Sequence, residues 1–590
     1  MVNFADRLNA QVAFSPIGRW FRLEGSGHPK ERIGSRFVTE IRAGLTTWAA
    51  MAYIISVNAS IVSDSGGTCV CTSATDPSCT NDTTYLACVN DVRNDLIIST
   101  AAMAALSSVL MGLFANLPVG MAPGLGLNAY FAYSIVGFHG TGMVTYQEAL
   151  AAVFLEGWIF LALSLLGLRQ WLVRIIPESL VLAVGAGIGL LIAFIGLSPS
   201  GLGVIGGDTT NFVGLGGCTA DNYIANLPYY CEHGQLRNPT MWLGIFLGGI
   251  LTVLLMLYRV RGAILIGIFL VSIISWPRPT AVTYFPHTDA GDALFDFFKQ
   301  VVTFHPLHKV GNVINKSESL VCISNILICR HPRYNWVKFN LFLLRNLLTV
   351  KISPDSTLYS MAKFAGLRDP VTLDFEGSTA AYCVDAFSIS MGALVGTSPV
   401  TAFIESATGI SEGGKTGITA IVVGLAFFVS IFFAPIFASI PGWATGGALI
   451  IVGSLMIRNV REINWDYIGD AVPAFITLII IPLSYNIAYG LIAGILSYVA
   501  INFIPWAIRK LTHDRIVPPN YDASEEWTIP PGSIFPLWLL KATGRAPPTE
   551  EGLVLEERYV PRHASIDTAS QDHVNGGRSI STLEKHPDAI

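Results

Sequence analysis

Gly120-Met-Ala-Pro123-Gly124-Leu-Gly126-Leu-Asn128-Ala-Tyr130-Phe131 is an apolar run broken in its middle by glycine and proline. Gly396-Thr-Ser-Pro399-Val-Thr401-Ala-Phe403-Ile-Glu405-Ser406-Ala-Thr-Gly409 repeats that character much later in the chain. Both lie among apolar stretches suited to a hydrocarbon layer of ~30 Å. Backbone N–H and C=O groups find no water in lipid, so a broken helix survives only where protein or a wet cavity covers the break. Amides at the start of a half-helix then turn partial positive charge toward a ligand. Broken spans at matching places in two halves of a chain mark the site of an inverted-repeat transporter. A kink that merely lets helices pack closely is the plainer reading. Each break, however, carries a polar residue, Asn128 in the first and Glu405 in the second. A polar group at membrane depth points to a ligand.

The rest of the chain fits an all-α polytopic membrane protein. Of its 590 residues 52% are hydrophobic and 13% charged, too few charges to cover a soluble surface. Apolar stretches recur near 43–62, 96–115, 120–135, 149–167, 178–198, 240–257, 262–276, 379–397, 400–411, 417–440, 443–457, 470–485 and 487–506, with a poorer candidate at 336–350. The broken runs are the third and tenth, the third of each seven-span half. Basic residues gather in 1–42 and at Arg169, Arg174, Arg259, Arg261, Lys363, Arg368, Arg458, Arg461, Arg509 and Lys510. The alternate loops 63–94, 136–147 and 201–239 hold only Arg93 and Arg237. Basic loops stay in the cytoplasm, so both termini are expected there, which requires an even number of spans. Three parts follow: a cytoplasmic N-terminal segment (1–42), a transmembrane transporter domain (43–506) and a polar, Pro-rich cytoplasmic tail expected to be largely disordered (507–590). No short apolar core with a cleavage site precedes the first span, so the spans themselves are expected to direct insertion. A net charge of −5 leaves no nucleic-acid footprint.

Cys69, Cys71, Cys79 and Cys88 crowd one outer loop, and Cys218 and Cys231 another. Such clusters suit disulfides in an oxidising compartment. No histidine stands at zinc spacing beside them, so no metal is expected. Asn81-Asp-Thr83 is a glycosylation sequon in the first of these loops. The ionisable residues at membrane depth are Glu156, Asp385, Glu405 and Asp470, with Glu40 and Arg42 at the edge of the first span. Glu156 and Asp385 have no break around them and read as partners of neighbouring helices. Glu405 lies inside the break, where its carboxyl group can accept N–H donors of a ligand and carry a proton. Asp470, just before Ala471-Val-Pro473, is a second candidate for proton handling. Gly201-Leu-Gly203-Val-Ile-Gly206 matches a dinucleotide fingerprint but lacks the strand-turn-helix setting that gives it meaning. No cofactor is expected beyond the proton as coupling ion.

Four stretches carry a resemblance: Ala43-Gly-Leu-Thr-Thr-Trp-Ala-Ala-Met-Ala-Tyr53-Ile-Ile-Ser-Val-Asn58; Ala122-Pro-Gly-Leu-Gly-Leu-Asn128-Ala-Tyr-Phe; Thr401-Ala-Phe-Ile-Glu405-Ser with Gly413-Gly-Lys415-Thr-Gly417; and Ala471-Val-Pro-Ala-Phe-Ile-Thr477 with Tyr485-Asn-Ile-Ala-Tyr-Gly490. In them the chain resembles the AzgA-like purine permeases, within the nucleobase–cation symporters, over residues 30–308 and 357–510. The resemblance implies a seven-plus-seven inverted repeat with core and gate domains. It also implies proton-coupled uptake of hypoxanthine, adenine and guanine at the plasma membrane, with a homodimer as an open expectation. The family's site draws on spans one, three, eight and ten. By that carry-over Glu405 and Asn128 contact the base, with Gly126, Ala129, Thr401, Phe403 and Ser406 beside them. Two departures stand out. Tyr489 occupies a place where many bacterial relatives have Asp. The eighth span is also disrupted: Lys351-Ile-Ser-Pro-Asp355-Ser-Thr357 precedes Leu358-Tyr-Ser-Met-Ala362, and 309–356 as a whole looks unlike the family. An anion or ascorbate-type transporter on the same fold is the main alternative, and a carboxyl group at the tenth-span break argues against it. An embedded enzyme would need a metal cluster, nucleophile elbow or phosphate loop, none of which is apparent. A nutrient receptor without transport differs from a carrier only in flux.

Overall fold

In lipid a long apolar run can satisfy its backbone only as a helix, and helices form most of the structure. The computed structural model describes residues 4–70, 79, 82–142, 144–166, 177–206, 214–224, 227–260, 262–303, 307, 309–310, 357–358, 361–362, 364–367, 375, 377–513 and 515–524. Cys71, Asn81, the stretch 311–356 and the tail beyond 524 therefore lie outside the described residues. Two short helices open the chain, α1 (Phe4–Ala13) and α2 (Pro16–Phe21). Then come α3 (Phe37–Ser63) and α4 (Thr84–Ala115). Strand β1 (Met121–Pro123) leads into the half-helix α5 (Leu125–Ala129), which continues to Ile135. Next are α6 (Tyr146–Leu165), α7 (Glu178–Leu197), α8 (Pro239–Leu257) and α9 (Ala263–Ser275), with the short α10 (Asp289–Phe298) after them. A small hairpin, β2 (Tyr223–Ile224) with β3 (Leu227–Cys231), decorates the loop before α8. Beyond residue 377 follow α11 (Ser378–Leu394), β4 (Val400–Ala402), α12 (Ser406–Ser411), α13 (Gly417–Ile431), α14 (Gly442–Met456), α15 (Ile468–Ser484) and α16 (Ile487–Leu511). Among the described residues seven helices are long and apolar enough to cross a membrane, and α9, α13 and α15 are shorter apolar helices.

The heaviest packing falls into two sets. In one, α13 lies on α3 and α4, α6 on α11, and α12 on α3. In the other, α14 and α15 lie on α7, α16 on α15, and α8 and α9 on α14. Small residues permit the close approaches, as expected where helices meet without a hydrophobic driving force. A Cβ on Gly453 would sit 2.4 Å from the carbonyl oxygen of Gly189, and one on Gly189 would sit 2.7 Å from that of Gly453. That contact between α7 and α14 is backbone against backbone.

Several ends differ from the sequence expectation. The helix α4 begins at Thr84 rather than near 96, because the Asp82 side chain accepts from the N–H groups of Thr84 (2.9 Å) and Tyr85 (3.3 Å) and so supplies the missing partners of the first turn. Much of the expected outer loop is thus helical, and Cys88 on α4 bonds Cys69. Cys218 bonds Cys231, and Cys79 is also disulfide-bonded. The helix α3 starts at Phe37, which draws Glu40 inside it. Its carboxylate accepts from Lys415 N (3.0 Å), Thr416 N (3.1 Å) and Thr419 Oγ1 (2.6 Å), closing the start of α13. The helix α16 continues to Leu511, past the expected boundary at 506. The first part of the tail is also built against the body. Asn464 Nδ2 donates to Ala523 O (2.7 Å), and the Tyr467 and Tyr521 rings meet edge to face. Lys309 and Val310, at the edge of the anomalous stretch, fit the fold: both N–H groups donate to Asp95 Oδ2, and Val310 is buried against Gly396.

Candidate substrate site

The two broken runs meet. Strands β1 and β4 pair antiparallel with Met121 opposite Ala402, Ala122 opposite Thr401 and Pro123 opposite Val400. The bonds from Gly124 N to Pro399 O (3.0 Å) and from Phe403 N to Gly120 O (3.1 Å) extend the pairing. The crossing is fully buried, and two short extended segments there satisfy each other's backbone where no water can. Gly124 is required by contact, since a Cβ would lie 2.9 Å from Thr401 Oγ1. The half-helices α5 and α12 lead away from the crossing.

Glu405 sits at the N-cap of α12 and is 7% exposed. Its Oε1 accepts from the Tyr53 hydroxyl at 2.6 Å, and Tyr53 is buried on α3. Asn58, five residues further along α3, donates from Nδ2 to Thr100 Oγ1 (2.6 Å) and Thr397 Oγ1 (3.1 Å). Ser398 Oγ donates to Asn58 Oδ1 (3.3 Å) and makes a short bond to Asn128 Oδ1. The oxygen of the Asn128 amide is thereby held, while its fully buried Nδ2 has no hydrogen-bond partner among the described residues. An unpaired amide donor in such a place costs about 1–3 kcal/mol unless a ligand or water meets it. The two broken runs thus contribute a buried carboxyl acceptor and a buried amide donor.

The expected site residues do not all play one part. Gly126 abuts α7, where a Cβ would sit 2.6 Å from Ile188 Cγ2, so its smallness serves packing. Ser406 Oγ accepts from Gly120 N (3.0 Å) and braces the crossing. Thr401 is in β4, and Ala129 and Phe403 are buried in the core. Asp470 stands apart in the first turn of α15, where its Oδ2 accepts from Asn464 Nδ2 (2.8 Å). Glu156, read from sequence as paired with a neighbouring helix, is fully buried on α6, and neither of its carboxyl oxygens has a hydrogen-bond partner among the described residues. Tyr53, Asn58, Thr397 and Ser398 were not singled out by the sequence reading. The available signal was a hydroxyl and an amide inside an otherwise apolar stretch of the first span. The eighth-span contribution lies outside the described residues. Among the described residues no cluster of His, Cys, Asp and Glu is suited to a metal.

A helical membrane protein whose broken spans cross beside a buried carboxyl and a buried amide is, in class, a solute transporter and not an enzyme. The model of the xanthine/uracil permeases, described as a permease family, matches residues 68–220 and 235–492, and the chain belongs to that family. It is 53% identical over 583 residues to Efflux pump notK' of Aspergillus versicolor, covering 96% of this chain and 97% of that one. It is 54% identical over 539 residues to a Schizosaccharomyces pombe protein provisionally named xanthine/uracil permease C887.17, covering 91% and 83%. The guanine/hypoxanthine permease PbuO of Bacillus subtilis is 32% identical over 481 residues, covering 80% and 92%.

Proposed function

We propose that this permease carries purine bases (hypoxanthine, adenine and guanine) inward across the plasma membrane together with protons. The observation that carries the reading is the buried Tyr53–Glu405 pair beside the crossing, with the Asn128 amide, whose Nδ2 is without a partner among the described residues, on the other broken run. A ring N–H of the base donates to the Glu405 carboxyl, and a ring nitrogen or carbonyl oxygen accepts from Asn128 Nδ2. Glu405 then exchanges its proton in step with the base, and the two helix sets move against each other to expose the site to either side. Family membership and a guanine/hypoxanthine relative support the substrate class. Glu405 lies at the crossing and is the first candidate for coupling, and Asp470, paired with Asn464 in the first turn of α15, is the second. The charge asymmetry of the loops supports a cytoplasmic location for both termini. Uptake of radiolabelled hypoxanthine against imposed pH gradients, with unlabelled purines as competitors, tests the proposal. Uptake is expected to rise with an inward proton gradient and to fall with each purine. Indifference to the gradient, or no competition by purines, overturns it. The name of the Aspergillus versicolor relative favours a second reading, outward transport. Proteoliposomes given the two gradient polarities in turn separate the directions.

A further inference from the structure

The N-terminal segment is not a loose cytoplasmic leader. Ser15 caps α2, accepting from Gly18 N, and Gly18 lets α1 and α2 turn tightly, since a Cβ there would sit 2.2 Å from Ala13 O. Arg32 Nη1 donates to Asn116 O (2.7 Å) and Lys415 O (2.5 Å), and Asn116 Nδ2 donates to Phe21 O (3.3 Å). The N–H groups of Gly25 (3.0 Å) and Gly27 (2.6 Å) donate to Glu31, holding its carboxyl below the usual range and closing the intervening loop. The segment is thus fixed at the Ala115 end of α4, away from the Cys69–Cys88 disulfide at its start. Ala13, Phe21 and Leu23 face inward with Ile418. The other side is exposed: Phe14 is 78% exposed, Ile17 56% and Trp20 64%. Ile17 and Trp20 stand three apart on α2, the spacing that lines one helical face, and Phe14 lies in the turn just before it.

We propose that this corner, Phe14–Trp20, is an interfacial anchor seated in the headgroup layer of the bilayer. Continuity decides the occupant. The Trp20 indole Nε1 donates to Leu113 O (3.2 Å), and the neighbouring Leu113 and Phe114 are themselves exposed on the spanning helix α4, where lipid is their surrounding. Tryptophan at such a boundary keeps its ring in the apolar zone and its N–H on a polar partner. Charge agrees with an anionic surface: residues 4–42 hold seven Lys and Arg against four Asp and Glu, and the exposed Arg7 and Arg19 flank the patch. The test installs a benzophenone-bearing side chain at position 14 or 17 of the full chain, reconstitutes it in vesicles with and without phosphatidylglycerol, and identifies adducts by mass spectrometry. Position 114 serves as the lipid-facing control and position 30 as the aqueous one. The expected result is lipid adducts at 14 and 17 as at 114, stronger with the anionic lipid, and none at 30. Adducts only with protein, or no adducts at 14 and 17 while 114 captures lipid, overturn the proposal.

Discussion

At Glu405 two demands meet: a carboxyl group must be sheltered from lipid and yet offered to a ligand. Tyr53 answers the first by donating to Oε1, and the N-cap position on α12 answers the second by placing the group at the mouth of a half-helix. Glu405→Gln keeps an acceptor and loses the titratable group. Its expected outcome is a KM for hypoxanthine raised about tenfold or more, from a charge-assisted bond worth ~1.5–3 kcal/mol, together with loss of the pH dependence of uptake. Tyr53→Phe removes only the donor, so KM should rise while the pH dependence is retained because Glu405 still titrates. Uptake assays across pH on both variants check the pair, and unchanged kinetics in the surface-expressed Glu405→Gln protein would remove Glu405 from the site. Glu405 and Asn128 were legible in sequence because each interrupts an apolar run beside glycine and proline. Their supports on α3 were not, because a Tyr and an Asn in a span reveal their partners only when the third and tenth spans are folded against the first.

The elements repeat this division between pattern and contact. Apolar runs marked stretches that form helices, and the Gly-Pro breaks marked the two short segments that pair, since hydropathy and backbone satisfaction are properties of a single stretch. The ends of α3, α4 and α16 depended on partners elsewhere: the Asp82 cap, the Glu40 bonds to residues 415–419, and the docking of 521–523 beside Tyr467. Close helix packing is equally a matter of two stretches. Gly453 and Gly189 leave no room between α7 and α14, so Gly453→Ala forces the helices apart at an overpacking cost of about 1–3 kcal/mol. The expected outcome is a lower melting temperature in detergent with substrate affinity unchanged, because Glu405 and Asn128 lie on other elements. Thermal unfolding and equilibrium binding, measured on one preparation, distinguish this from damage to the site.

At the scale of the whole molecule the chain has two ends to reconcile. The disulfides Cys69–Cys88 and Cys218–Cys231 belong to loops read as external. A membrane-impermeant maleimide on intact cells, followed by peptide mapping, should therefore label these four cysteines only after reduction. Labelling without reduction contradicts the bonding, and labelling only after permeabilisation contradicts the topology. The stretch between Val310 and Thr357 makes a sharper demand. Lys309 O accepts from Thr68 and its N–H meets Asp95, so the chain enters this stretch at the starting end of α4. Gly377 packs against Ala115 O, at the far end of the same helix. Asp95 and Ala115 are separated by ~30 Å of helix at 1.5 Å per residue, so the eighth span expected from the sequence falls between these two described points. Its best candidate, 336–350, carries Lys338 and Arg345, each costing roughly 2.5–3.5 kcal/mol at mid-span. We propose that the anomalous stretch, about 309–356, is read from a misplaced splice or reading frame, and that the natural message encodes an apolar span there. Sequencing the spliced transcript tests this. The expected message joins the codons near Val310 to those near Thr357 through a different, apolar reading. A mature message encoding 311–356 as given, whose product takes up purines, would show instead that a divergent eighth span inserts despite its charges.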